Sequence, residues 1–432
     1  MAATPKAAEA LSARLARLPA RPEGGFSRPA RAAALERLQE MGLPQRRDEY
    51  WRFSDPASLI APEPPPALLY DTRDETLAFD GMDRVTLVFT DGVFDAEASD
   101  RPEAAGVTVA RLAEADQADL HWAQGLYGQR EAAGQSPVPR PLAALNTAVA
   151  GDGLLIHVTD KAEKPIHLVY RHRSETSDVF LHHCVKVDAG AEVTVLESGP
   201  AGARFNTVME VDVAVEGAFH HVRLQGRDHS VRGVTHCFAR VGEKAAFKSF
   251  TLSANGAFTR NECVLDIVGD EAVVHVAGAA LGDGNDGDFL HDDTVFITHG
   301  AERCESRQVF KKVLKHGASG VFQGKILVKP GAQKTDGYQI SQALLLDDAS
   351  QFLAKPELEI YADDVKCSHG STTGAIDETA LFYLRSRGVP KDRAISMLVL
   401  SFMADAVEEI EDEALRIEVT DRLEGWLARH HG

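Results

Sequence analysis

Residues 356–388, PELEIYADDVKCSHGSTTGAIDETALFYLRSRG, carry the transition on which the reading of the fold turns. Leu358, Ile360 and Val365 mark the apolar positions of a closing strand region, interrupted by the acidic pair Asp363 and Asp364. Cys367 and His369 follow, with one residue between them. On a strand that spacing sets both side chains on one face, so a thiol and an imidazole can address one metal ion or one partner surface. Gly370, Ser371, Thr372, Thr373 and Gly374 read as a polar turn, and Asp377 as the N-cap of a helix through Ala380, Leu381 and Leu384 that stops at Gly388. Strand gives way to helix here.

Upstream, from Leu154 to Lys366, the chain runs in short β-branched segments that alternate, as in Val185 and Val187, Val193 and Val195, and Val211, Val213 and Val215. Each segment therefore has one buried face. Glycine-led turn dipeptides at Gly190, Gly217, Gly242, Gly269, Gly300, Gly317 and Gly331 follow one run and precede the next, at separations of 27, 25, 27, 31, 17 and 14 residues. Such a loose repeat suits a solenoid whose coils hold two or three short strands. A β-sandwich also gives short alternating strands, so the repeats alone leave both architectures open.

The flanks are helical. Ala8, Leu11, Leu15 and Leu18, then Ala34, Leu35, Leu38 and Met41, fall at helical spacing, and Gly42 ends the second helix. In DEYWRFSDP, residues 48–56, Trp51 and Phe53 read as a local hydrophobic anchor, and PEPPP, residues 62–66, as an extended connector. VTLVF and GVTVA are strand-like, Leu112 to Arg130 reads as a helical run, and PVPRPLAALNTAVAGDG as a short helix begun by proline. After Pro390, Ala394, Met397, Leu398, Leu400, Ala404 and Val407 mark an apolar helix, and Leu415, Ile417, Val419, Leu423 and Trp426 a last one. This hairpin is expected to cover the open edge of the last coil.

The 432 residues exceed what one core serves, so two or three domains are expected. With 65 acidic and 46 basic side chains the net charge is −19, which argues against nucleic acid or an anionic membrane as partner. The N-terminus lacks the apolar core of a secretory signal, and no window reaches the length of a membrane span. A cytoplasmic protein is the plain reading. Cys184, Cys237, Cys263, Cys304 and Cys367 are scattered, so neither a disulfide framework nor a metal centre built by this chain alone is expected.

Among the motifs, GASGVFQGKI, residues 317–326, lacks the spacing of a phosphate-cradling loop, and neither a G-x-S-x-G elbow nor an H-E-x-x-H helix occurs. LGDGNDGDFLHDD, residues 281–293, lacks the closing glutamate of a calcium loop and reads as a solvated loop. Of the histidines in the β region (His157, His167, His182, His183, His220, His221, His229, His236, His275, His291, His299 and His316) at most a few are expected to bind metal.

VKCSHGSTTGAIDETALFYLRSRG closely resembles the signature of the SufB/SufD family, scaffold proteins of the sulfur-mobilisation (SUF) system that assembles iron–sulfur clusters. Gly370 after the histidine resembles the SufD branch. GKILVKPGAQKTDGYQISQALLLDDASQFLAKPELEIYADD, residues 324–364, continues the family pattern, LNTAVAGDGLLIHV, residues 145–158, resembles the start of its sheet domain, and DEYWRFSDP its short aromatic motif.

The resemblance implies a mainly β protein. A right-handed parallel β-helix over 151–374 is flanked by an N-terminal helical region and linker (1–66), a small mixed α/β region (67–150) and a C-terminal helical domain (375–432). It implies a non-enzymatic component of the SUF scaffold that aids iron acquisition, binds no cofactor stably alone, and shares a transient iron or iron–sulfur cluster with a partner at His369 and Cys367. The partners implied are a SufB-like paralogue, pairing β-helix to β-helix, and a SufC-like ABC-type ATPase. The ATPase would be received by the C-terminal helices, including Asp377, Leu381, Tyr383, Arg385, Arg387, Met397 and Phe402, and a homodimer is allowed for the isolated chain. Two rivals stand beside this reading: a β-helix carbohydrate-active enzyme and a purely structural homodimer. The adjacent Asp363 and Asp364 tend to opposite faces of a strand and make a poor acid/base pair.

Overall fold

The computed structural model describes residues 5–18, 22–70, 77–225, 230–286 and 288–430; His229 lies outside them. The strands are β1 (Val85–Thr90), β2 (Val93–Phe94), β3 (Glu103–Ala104), β4 (Val107–Arg111), β5 (Leu154–Val158), β6 (Ile166–Arg171), β7 (Asp178–Val187), β8 (Glu192–Ser198), β9 (Arg204–Val213) and β10 (Ala218–Gln225). They continue as β11 (Arg232–Val241), β12 (Ala246–Ala254), β13 (Phe258–Ile267), β14 (Val273–Asp283), β15 (Leu290–His299), β16 (Glu305–Lys315), β17 (Ser319–Val328), β18 (Asp336–Leu345), β19 (Gln351–Ile360) and β20 (Lys366–Gly374). The helices are α1 (Pro5–Leu15), α2 (Arg28–Met41), α3 (Ala57–Ile60), α4 (Leu112–Ala115), α5 (Gln129–Ala133), α6 (Pro141–Val149), α7 (Glu378–Ser386), α8 (Lys391–Val407) and α9 (Glu413–Arg429). None of the described helices is long and apolar enough to cross a membrane.

Two sheets of ten strands face one another. One runs β2-β1-β6-β8-β10-β12-β14-β16-β18-β20 and the other β19-β17-β15-β13-β11-β9-β7-β5-β4-β3, so from β5 onward successive strands alternate between sheets and the chain winds a parallel β-solenoid of about 7 turns. Sandwich topology is thereby excluded, since each strand from β7 to β20 lies parallel beside the strand two earlier. Inward residues such as Val185, Val195, Val211, Phe219, Phe247, Val274 and Ile297 build one continuous core along the lumen.

The repeat is tighter than the glycine spacing suggests. Gly190, Gly217, Gly242, Gly269, Gly300 and Gly331 sit at one corner of successive coils, whereas Gly317 lies at the opposite corner, between β16 and β17. Most of these corner glycines do not supply the left-handed residue. Charged neighbours do so, Glu216, Lys244, Glu271, Arg303 and Lys334, with φ between 53° and 62°. Gly269 is needed for close stacking instead: a Cβ there would lie 2.0 Å from Glu243 N in the coil below.

Three expectations are corrected. Residues 370–374 are not a turn but extend β20, because β18 offers a full ladder, from Gly370 opposite Ile340 to Gly374 opposite Leu344, that overrides their weak strand propensity. The run from Leu112 to Arg130 is broken into α4, a 3-10 turn at Trp122–Gly125 and α5; Asp116 ends α4 and spends its carboxylate on Gly25 N and Ser27 N. The C-terminal hairpin does not cover the last coil. It lies across the outer face of the first sheet, where Val399, Met403 and Val407 meet Phe250, Leu252, Ala279 and Val309, because that face is the apolar one.

The N-terminal region covers the outer face of the other sheet. α6 is buried along its whole length, and Asn146 donates to the carbonyls of Leu181 (3.0 Å) and Asn206 (2.7 Å). Trp51, Leu38, Leu59 and Leu145 share one core with Val234 and Phe258. At its centre Arg260, buried, bonds Glu262 (2.6 Å), Asp292 (2.5 Å) and Tyr50 O (2.8 Å), and its guanidinium lies 4.2 Å from the Trp51 ring. Arg140 reaches Glu262 at 3.0 Å from α6. Burial alone would raise the Glu262 pKa, but Arg260, His236 and Arg140 hold it at about 2, down from 4.5. A carboxylate with a depressed folded-state pKa stabilises the fold above its unfolded value, and that contribution is lost as pH falls from about 4.5 through about 2.

Arg260→Met leaves Glu262 and Asp292 without this buried partner. It is expected to destabilise the protein by about 3–5 kcal/mol, read as a lowered urea midpoint at pH 7, and the wild type is expected to lose stability on acidification across that same window. An unchanged midpoint would remove this network from the account of stability.

The open end of the solenoid

The two ends of the solenoid differ. At the first coil the sheets finish in the two-residue antiparallel strands β2 and β3. At the other end β19 and β20 are terminal and full length, so each presents a row of backbone N–H and C=O groups with no strand beside it among the described residues. Lys366, Ser368, His369 and Ser371 through Gly374 are all exposed on β20.

Pairing with β18 fixes where the side chains of β20 point. Cys367 stands on Gly337 and His369 on Gln339, and below them Gln339 stands on Gln308. The two glutamine amides bond at 2.8 Å, both side chains are fully buried, and Ser371 bonds Ser341 at 3.1 Å in the same face. Cys367 and His369 thus share the luminal face of the last strand. The imidazole is exposed at the rim without a hydrogen-bond partner among the described residues. Beneath it, Gln339 Oε1 is a buried acceptor with no partner.

Cys367 is half-buried beside Ile326, Val328, Leu358 and Val365. Its Sγ would lie 3.2 Å from a Cβ on Gly337, so the missing side chain seats the thiol. Burial pushes this thiol above its usual value; a backbone hydrogen bond at Gly337 opposes the rise and Asp336 adds to it. The nearer carboxylates in sequence, Asp363 and Asp364, are not among the causes: Asp364 pairs with Lys334 and Asp363 is exposed.

A set of ligating groups lies well away from this rim. His182, Cys184 and Glu210 bring one candidate ligand atom each within 4.8 Å of the others. The His182 ring nitrogens and the Glu210 carboxylate are already engaged. His182 Nδ1 faces Asn146 Oδ1 at 3.0 Å and Nε2 faces Glu210 at 2.7 Å, while Glu210 also accepts from the backbone of Gly128, Arg130 and Glu131. This cluster fastens the N-terminal region to the sheet. His167, His183, His221, His291 and His299 are likewise buried and bonded to Ser198, Tyr170, Glu197, Asp293 and Ser306 respectively.

The residues proposed from the sequence for a partner at the C-terminus separate in space. Tyr383 (55% exposed), Met397 (45%), Arg385 and Arg387 are on the surface, with Arg387 stacked 3.3 Å from the Tyr383 ring centroid. Leu381 is buried, Phe402 turns to the protein under Lys311 at 4.7 Å, and Asp377 caps α7 through Thr379 N and Ala380 N. Leu381 and Phe402 therefore offer little to a partner, because their helix faces are those the sheet and neighbouring helix cover. Phe382, 73% exposed beside Tyr383, is the surface residue that sequence reasoning missed; an aromatic within an apolar run reads as core.

The chain matches the family model for the SUF system FeS cluster assembly SufBD core domain over residues 170–402, and that for the SufBD protein N-terminal region over residues 26–168. It is 29% identical to the iron–sulfur cluster assembly protein SufD of Escherichia coli, covering 93% of both chains. It is 25% identical to the chloroplastic protein ABCI7 of Arabidopsis thaliana over 92% of this chain and 85% of the relative, and 28% identical to SufD of Bacillus subtilis over 66% of each.

The chemistry of the rim thiol can be read directly. Cys367 is expected to alkylate ahead of the buried Cys184 and Cys304, at a rate that keeps rising beyond pH 9, as site-resolved mass spectrometry of iodoacetamide-treated protein would show. A rate that levels off below pH 8 would contradict the half-buried seat described here.

Proposed function

The chain belongs to the SufB/SufD family of SUF iron–sulfur cluster assembly proteins, in its SufD-like branch, and from that premise we propose that it is one half of a two-solenoid assembly scaffold. The observation that carries the proposal is the uncovered last coil with Cys367 and His369 on its luminal rim. A SufB-like paralogue with a matching open end adds its strands to β19 and β20, satisfying the free backbone groups by strand addition. Iron and sulfide, or the cluster they form, are the cargo at that junction. A neutral imidazole offers its lone pair near neutral pH, whereas the Cys367 thiol must first lose a proton that burial holds on. His369 is therefore the stronger ligand and the partner supplies the remaining donors.

The second partner is a SufC-like ABC-type ATPase received on α7 and α8, where Phe382, Tyr383, Arg385, Arg387 and Met397 form an exposed aromatic and basic patch. ATP hydrolysis belongs to that partner, and this chain works without catalysis of its own in the cytoplasm. The exposed rings supply anchors of the kind that dominate interface energetics. Removing 377–432 is a poor test of this contact, since α8 and α9 cover Phe250, Leu252 and Val309.

In the reconstituted three-component complex, His369→Ala is expected to lower cluster yield roughly tenfold or more, and Cys367→Ala less, by visible absorbance and iron content after assembly is confirmed. Full yield from an intact His369→Ala complex would sink the ligand assignment. Replacing Phe382 and Tyr383 together by Ala is expected to weaken capture of the ATPase by about tenfold or more while leaving the melting temperature unchanged. Undiminished capture would move that interface elsewhere.

A further inference from the structure

Midway along the lumen, one inward row is built of sulfur. Met209, Cys237 and Cys263 hold the same register position in consecutive coils, on β9, β11 and β13, with neighbouring strands about 4.8 Å apart. Cys237 and Cys263 are direct register partners on adjacent strands, so their thiols are neighbours on one face. Arg223 and Thr251 face the same lumen from the other sheet as register neighbours on β10 and β12, and Arg223 bonds the buried Glu197 at 2.6 Å.

Arg223, Thr251, Cys237 and Cys263 all retain partial exposure, although each points inward from mid-strand with further coils on both sides. A side chain so placed is reached only from within. Their partial exposure on an inward face therefore marks void space in the lumen beside them. Toward the open end, the rings of Phe310 and Phe322 meet at 5.0 Å, and Phe310 fills the space over Gly278. In the other direction Tyr170 and His183 bond at 3.2 Å. The void is thus separate from the Cys367–His369 rim. Cysteine and methionine are ordinary core fillers, but a close-packed interior does not leave two thiols and a guanidinium beside a gap.

We propose that Met209, Cys237 and Cys263 form a binding site for the soft monovalent cation Cu(I), held by the two cysteine sulfurs with the methionine thioether as third donor. Thiolate and thioether ligands favour Cu(I), while the row lacks the oxygen donors that hard divalent cations need. Each thiol that coordinates releases its proton to solvent. One thiolate neutralises the ion, and the charge of the second faces the Arg223 guanidinium.

The test uses the full chain, handled without oxygen, with cuprous ion added to folded protein and, in a second preparation, present throughout synthesis. Competition against a chromogenic Cu(I) chelator is expected to show one tightly held equivalent in the wild type and in Cys367→Ser. That equivalent is expected to be lost in Cys237→Ser and in Cys263→Ser. X-ray absorption at the copper edge of the wild type, which depends on no variant folding, is expected to show a sulfur-only shell. A nitrogen or oxygen shell, retention of the equivalent in both serine variants, its loss in Cys367→Ser, or no equivalent in either preparation would each overturn the proposal.

Discussion

A coil of this solenoid satisfies its backbone only by lying in register on the coil before it. From β7 onward every strand takes its ladder from the strand two earlier in the chain, in an unbroken parallel succession. Side chains are thereby sorted into rows: a residue and its counterpart one coil later stand about 4.8 Å apart on the same face. The apolar rows make the core, a polar row carries Gln308, Gln339 and His369 to the rim, and a sulfur row sits between. The terminal coil has the same obligation and no further coil to meet it, and the candidate site is there for that reason.

Rows also explain how charge is tolerated inside. Glu197 takes His221 and Arg223 from β10 and Tyr170 from β6, and Asp293 takes His291 and Lys312. Each buried charge has partners because stacking delivers them from neighbouring coils, and a lone one would be too expensive to keep. Outside, ion pairs tie the flanks down: Arg307 to Glu409 at 3.1 Å and Lys311 to Asp405 at 2.7 Å secure α8 on the sheet, as Arg260 and Arg140 secure the N-terminal region.

The solenoid was legible because strand alternation and corner turns are local signals. Its regularity was blurred because Gly317 belongs to the other corner, which only the strand pairing reveals. β20 was cut short in the reading since Gly370–Gly374 has turn-like composition, and its ladder partner lies about thirty residues away. The same limit hid Asp336 as the carboxylate near Cys367, because adjacency in a solenoid is set by coil length and not by sequence distance. The hairpin went to the wrong surface for a related reason: Phe250, Leu252, Val309 and Val313 make an apolar outer face only when coils are stacked. The pairing of Cys367 with His369 was visible from spacing and motif, whereas the glutamines beneath them were not.

The inequality of the two ends sets how many neighbours the molecule can take along its axis. β2 and β3, two residues each, leave almost no ladder to extend, whereas β19 and β20 leave full-length ones. A solenoid open at both ends would be bifunctional and would polymerise into fibres. This one is monofunctional: joined at its single live edge, growth terminates with the first partner, and a closed pair is the largest object that end-to-end addition of strands can make.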